Sequence, residues 1–136
     1  MHKILIVDDS SLMHAYYRQV LSAMSGCKLA FARHGQEALQ KIDAEGPPDV
    51  IVLDVNMPVM DGLEFLRRLR ALPIKRVPVV IVSTEGRDDD LQRGLAAGAD
   101  GYVRKPFKAK ELQDVVRGYL DGAAPAAKAV AQGAVT

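Results

Sequence analysis

Short apolar runs separated by longer amphipathic segments set the rhythm of this chain. The runs are Ile4–Val7, Leu29–Ala32, Val50–Leu53, Val79–Val82 and the weaker Gly101–Arg104. The first, third and fourth are apolar at every position, without alternation. That pattern belongs to central strands covered on both faces, as in a parallel sheet. The segments between them carry helical spacing. Met13, Tyr16, Tyr17, Val20, Leu21 and Met24 form one apolar face, and Ala38, Leu39 and Ile42 a second. Leu63, Leu66 and Leu69 line a third, Leu91 and Leu95 a fourth, and Leu112, Val115, Val116 and Tyr119 a fifth. Ser10 is placed to cap the first helix, and Asp61-Gly62 after Pro58 opens the third. Asp88, Asp89 and Asp90 suit the positive end of the fourth helix, which Gly98 stops. The pattern predicts an α/β domain, (βα)5, doubly wound around a five-stranded parallel sheet with right-handed crossovers.

Composition adds little to that frame. The chain has 136 residues, 49% hydrophobic and 26% charged, enough for one globular domain with a sizeable core. The folded domain is expected over residues 1–121. Residues 122–136, "GAAPAAKAVAQGAVT", are rich in alanine and poor in large apolar side chains, so they read as a tail. A net charge of +1 makes no electrostatic case for nucleic acid. The local basic run Arg67, Arg68, Arg70, Lys75 and Arg76 reads as a solvated helix end. One cysteine, Cys27, rules out an internal disulfide, fits a reducing compartment and reads as a small buried residue rather than a nucleophile. No apolar run approaches the ~18 residues of a membrane span, and a cytoplasmic monomer without membrane contact is the expectation.

Candidate chemistry gathers where the runs end. In open parallel α/β sheets ligands sit at the carboxyl ends of the strands. The first strand delivers Asp8 and Asp9 there, the third Asp54, the fourth Ser83 and Thr84, and the fifth Lys105. Adjacent carboxylates repel one another, so the group requires a compensating cation. Oxygen ligands favour a hard divalent ion, magnesium before zinc or copper, with Lys105 offsetting the remaining charge. Read singly, each acid could be a helix or loop cap and Lys105 a solvated charge. Their joint position at the strand ends argues against that. His2, His14 and His34 are scattered and read as surface or interface residues, while Met57 and Met60 flank the site as packing or partner surface.

The stretches "ILIVDDS", "DVIVLDVNMPVMDGLEFL", "VPVVIVSTEG" and "GADGYVRKPF" resemble, in order and spacing, the CheY-like receiver domains of two-component response regulators. The resemblance covers residues 3 to about 120. It implies strand order 2-1-3-4-5 and a phosphoacceptor at Asp54. It implies Mg²⁺ on Asp9, Asp54 and the Asn56 backbone carbonyl, with Asp8 acting through a bound water. Lys105 would contact phosphoryl oxygens, Ser83 rather than Thr84 would be the switch hydroxyl, and Tyr102 the switch aromatic. Lys105-Pro106 matches a bond that is cis in the family. The implied function is a stand-alone receiver, not an enzyme beyond its own phosphorylation and dephosphorylation. Its phosphoryl donor would be a partner histidine kinase, a phosphotransfer protein or a small acyl phosphate. Output, of chemotaxis or phosphorelay type, would pass to a downstream protein through the fourth helix, fifth strand and fifth helix.

Two other classes compete. An aspartyl-phosphate hydrolase of haloacid-dehalogenase type needs a second acid two residues after the nucleophile, where this chain has Asn56. A flavodoxin-like cofactor module needs a phosphate-cradling loop after the first strand, where this chain has the acidic "DDSSLMH".

Overall fold

The computed structural model describes residues 2–54, 62–84, 88–105 and 107–122. Asn56, Met57, Pro58, Met60, Asp61, the Lys105–Pro106 bond and the alanine-rich tail beyond 122 lie outside them. Strands and helices alternate throughout: β1 His2–Val7, α1 Ser11–Leu21, β2 Cys27–Ala32, α2 Gly35–Glu45, β3 Val50–Asp54, α3 Gly62–Ala71, β4 Val79–Thr84, α4 Asp88–Ala96, β5 Gly101–Lys105 and α5 Ala109–Leu120. The strands pair in parallel in the order β2-β1-β3-β4-β5. This is the (βα)5 doubly wound fold that the hydrophobic rhythm predicts.

The sheet separates two apolar layers, and strand alternation assigns residues to them. On one side Ile4, Ile6, Val50, Val52, Val80, Val82 and Val103 pack against Tyr17, Val20 and Leu21 of α1 and Leu112, Val115 and Val116 of α5. On the other, Leu5, Val7, Ile51, Leu53, Val79, Ile81 and Tyr102 meet Ala38 and Ile42 of α2 and Phe65, Leu66 and Leu69 of α3. Residues buried on both faces explain why the central runs carry no polar alternation. Each such Val, Leu or Ile contributes about 1.5–3 kcal/mol of burial.

Several local expectations change. Tyr16, placed on the apolar face of α1 by spacing, is 36% exposed, because Tyr17 one position on takes the buried direction. Ser10 does cap α1, its Oγ accepting the Met13 N–H at 3.2 Å. The cap of α2 is His34, whose Nδ1 accepts the Glu37 N–H at 3.2 Å. This histidine is therefore a structural cap as well as a surface residue. The basic run is not simply solvated. Arg68 pairs with Glu64 on the exposed face of α3, and Arg67 approaches it at 3.4 Å. Arg70 instead turns inward to the Gly98 and Val77 carbonyls and to Asp100. Arg76 joins it on Asp100, and Lys75 lies 3.6 Å from Asp49.

Candidate functional site

The strand ends form the site directly. β3, β4 and β5 run on past their apolar runs, so that Asp54, Ser83 and Lys105 are strand residues with fixed direction. In β3 and β5 the alternation that puts Val52 and Val103 against α1 and α5 carries Asp54 and Lys105 toward that same layer. Ile81 and Tyr102 pack in the opposite layer, and alternation sends the buried Ser83 to that side with them. The sheet thus sorts the strand residues into two groups: Asp54 and Lys105 toward one layer, Ser83 and Tyr102 toward the other.

Asp8 and Asp9 follow β1 at the point where the chain first turns toward β2 and later returns to β3. Strand order reverses there, opening the crevice that binds ligands in sheets of this type. Backbone contacts hold the turn. The Asp8 N–H donates to the Ala32 carbonyl at 3.0 Å. The Asp8 carbonyl accepts from Nε2 of His14, giving that histidine a positional role that its isolation in the sequence concealed. Arg33 reaches over from the β2–α2 loop, donating through Nη2 to the Asp9 carbonyl at 3.2 Å and through Nη1 to Ser11 Oγ at 3.1 Å.

Within this frame one carboxylate oxygen of each of Asp8, Asp9 and Asp54 lies within 4.8 Å of the others. Asp9 is exposed and Asp54 half-buried, whereas Asp8 is 1% exposed. Asp8 Oδ1 accepts the Ser10 N–H at 2.9 Å, but Oδ2 is buried without a partner among the described residues. Burial pushes the Asp8 carboxyl above its ordinary value, and Asp9 adds repulsion. The Ser10 N–H and the Lys105 charge pull the other way. A buried, underserved carboxylate oxygen beside two further acids fits a hard cation with oxygen ligands. Among the described residues, no other group of acids, histidines and cysteine converges in this way.

Asn56, Thr84's side chain and the Lys105–Pro106 bond, all implicated by the sequence, lie outside what is described. Ser83 and Tyr102 are both buried, at 2% and 6%. Tyr102 also has the Arg104 guanidinium 5.9 Å from its ring centre. Sequence reasoning named neither Arg33 at the turn nor any polar partner problem at Tyr17. Tyr17, assigned to the apolar face, is 1% exposed with its hydroxyl unpartnered among the described residues. A tyrosine at a helix position whose spacing demands full burial is the signal that could have found it.

Fold and site together define a class: a doubly wound α/β module with three clustered carboxylates at its topological switch point. Residues 4–117 match the model of the response regulator receiver domain. The chain belongs to the response regulator receiver family. It is 37% identical over 123 residues to the chemotaxis protein CheY1 of Helicobacter pylori, covering 88% of this chain and 99% of that one. It is 43% identical over 118 residues to the transcriptional regulatory protein PrrA of Mycobacterium tuberculosis, covering 87% of this chain and 49% of PrrA. The chemotaxis protein CheY4 of Vibrio cholerae superposes with a TM-score of 0.78 at 36% identity, covering 86% of this chain and 97% of that structure. No helix among the described residues is long and apolar enough to cross a membrane.

Proposed function

We propose that this receiver takes a phosphoryl group on Asp54 and signals through the resulting change of surface. The observation that carries this reading is the meeting of the Asp8, Asp9 and Asp54 carboxylate oxygens within 4.8 Å at the strand ends. An Asp54 oxygen attacks phosphorus in line. The bond from phosphorus to a phosphohistidine nitrogen, or to the oxygen of an acyl phosphate, breaks, and its electron pair leaves with the donor. Asp8, Asp9 and Asp54 would hold Mg²⁺ with the Asn56 carbonyl, Asp8 through a bound water, and the ion would supply charge neutralisation at the phosphoryl oxygens. Lys105 offers those oxygens a second positive group. The buried Asp8 carboxyl keeps the pocket dependent on cations, since burial disfavours its charged form.

Output follows from the second layer. A phosphoryl group brings charge and strong acceptor oxygens, which draw the Ser83 hydroxyl toward Asp54. Tyr102, already buried on the side to which Ser83 turns, then repacks against the space the hydroxyl leaves. The surface of α4, β5 and α5, residues 88–120, changes with it and is the face offered to a downstream protein. A histidine kinase or phosphotransfer protein in the cytoplasm is the donor. Similarity to two proteins named for chemotaxis supports a motor or chemotaxis output. The receiver unit is residues 1–121, with 122–136 as its tail.

The test is mass spectrometry after incubation with acetyl phosphate and Mg²⁺. The wild type should gain one phosphoryl mass, Asp54→Asn none, and Asp9→Ala far less in the same time. Uptake by Asp54→Asn at the wild-type rate overturns the assignment.

A further inference from the structure

Ser83 and Tyr102 share a third neighbour on their side of the sheet. β4 and β5 run parallel, with Ile81 beside Tyr102 and Ser83 beside Arg104. Alternation turns Arg104 to the same side as Tyr102, two positions back along β5, and to the same side as Ser83 across the ladder. Paired residues on adjacent strands lie about 4.8 Å apart, so Arg104 is the hydroxyl's immediate neighbour on β5. Its guanidinium carbon stands over the Tyr102 ring, 5.9 Å from the centre. That is within the range in which a cation is drawn to an aromatic face. Arg104 thus adjoins both residues.

Packing alone does not call for an arginine here. Gly101, Tyr102 and Val103 are buried and Arg104 is half-buried at the end of an edge strand. A charge in that position loses hydration, and an aliphatic side chain would cover the ring without that loss. What a guanidinium adds is a planar, weakly hydrated cation that stacks on an aromatic face. Tyr102 is 6% exposed, packed in the layer of Ile81 and Leu66. A ring that repacks beside Ser83 must change its contact with a guanidinium that is neighbour to both.

We propose that Arg104 is a positioning residue of the switch: its guanidinium holds the Tyr102 ring in the resting position and so sets how far the chain populates the signalling one. The proposal rests on the reading of Ser83 and Tyr102 as the switch and deepens it, naming the contact that repacking gives up. A contact made in only one of two states biases the equilibrium by its own strength. Arg104 acts on the ring, not on the phosphoryl group.

The experiment follows the Tyr102 ring signals by NMR in the full chain, identified through their loss in Tyr102→Phe. They are recorded before and after saturation with Mg²⁺ and beryllofluoride, a phosphoryl mimic. Arg104→Met keeps an unbranched apolar stem and loses the cation. Its free-state ring signals should move toward the positions that beryllofluoride gives the wild type, along the line joining the two. Arg104→Lys keeps the charge and loses the planar face, and should bind beryllofluoride roughly threefold more tightly. A purely structural arginine would lower the thermal midpoint in these variants and move neither readout. Free-state ring signals of Arg104→Met off that line or at the wild-type positions overturn the role of Arg104. Equal or weaker beryllofluoride binding by Arg104→Lys overturns it too. Should beryllofluoride bind the wild type without moving the Tyr102 ring signals, the switch reading fails and the Arg104 role falls with it.

Discussion

At the amino ends of the strands Asp100 is largely buried, and its side chain is fully engaged. Arg70 donates to one of its oxygens at 3.0 Å and the Val79 N–H to the same oxygen at 2.9 Å, while Arg76 holds the other. The backbone around it is tied as well. Tyr119 donates its hydroxyl to the Asp100 carbonyl at 2.8 Å, and Arg70 bonds the Gly98 carbonyl through Nε and Nη2. The absence of a Cβ at Gly101 lets the Tyr119 hydroxyl approach, since a methyl there would sit 2.6 Å from it. At the carboxyl ends Asp8 is buried more deeply, with one oxygen served by Ser10 and the other by nothing among the described residues. Both are aspartates at the edge of the same sheet. The satisfied one closes the fold between α3, β4, β5 and α5, and the unsatisfied one lies beside Asp9 and Asp54. A buried charge left short of partners lowers stability, and on the proposed reading a cation at this site would offset that cost.

The largest effect expected from disturbing this contrast is at the satisfied end. Asp100→Ala removes the carboxylate partner of the Arg70 guanidinium and the acceptor of the Val79 N–H, and should cost about 3 kcal/mol. Urea unfolding reads this as a lower midpoint at unchanged slope. A loss near zero would mean that the network is ornamental and the contrast false.

The next effect has the opposite sign. In metal-free protein Asp8→Asn removes the buried charge while keeping the acceptor for Ser10, and should raise stability by about 1–2 kcal/mol. It should also abolish the stabilisation that Mg²⁺ gives the wild type. The pH dependence follows from the raised Asp8 value. The folded protein holds that proton more tightly than the unfolded chain, so the stability Asp8 contributes is present at low pH and lost as pH rises through its folded value. Acidifying the metal-free wild type from neutrality through that range should therefore stabilise it, and Asp8→Asn should lack this gain. Asp49, held below its ordinary value chiefly by the Lys3 N–H, works the other way and costs stability once it begins to take a proton. Denaturant midpoints measured across pH in chelator check both signs. Destabilisation by Asp8→Asn without metal would break the comparison.

The smallest effect comes from a charge pair at neither end. Lys110 and Asp114 lie 2.6 Å apart one helical turn from each other on α5, both largely in water. Lys110→Ala should cost no more than about 0.5 kcal/mol and less at high salt. Thermal melts at low and high ionic strength set this baseline, against which the two buried aspartates stand out.

Much of this was legible in the chain. Unbroken apolar runs could only be strands covered on both faces, and the helical spacing between them left one connection pattern. Because carboxyl ends of parallel strands share an edge, the meeting of Asp8, Asp9 and Asp54 is already implied by chain order. Sequence by itself therefore determined the fold class, the edge at which Asp8, Asp9 and Asp54 meet and the cap at Ser10, all consequences of local periodicity and chain order. Tertiary structure alone decided which charges are satisfied. Asp100 meets Arg70 across 30 positions of sequence, and His14 and Arg33 hold the Asp8–Asp9 turn from two different elements. It decided that Tyr17 rather than Tyr16 is buried, and that Asp8 Oδ2 and the Tyr17 hydroxyl lie buried without partners. Such partnerships depend on distances and directions between elements far apart in sequence, and periodicity within one element holds no record of them.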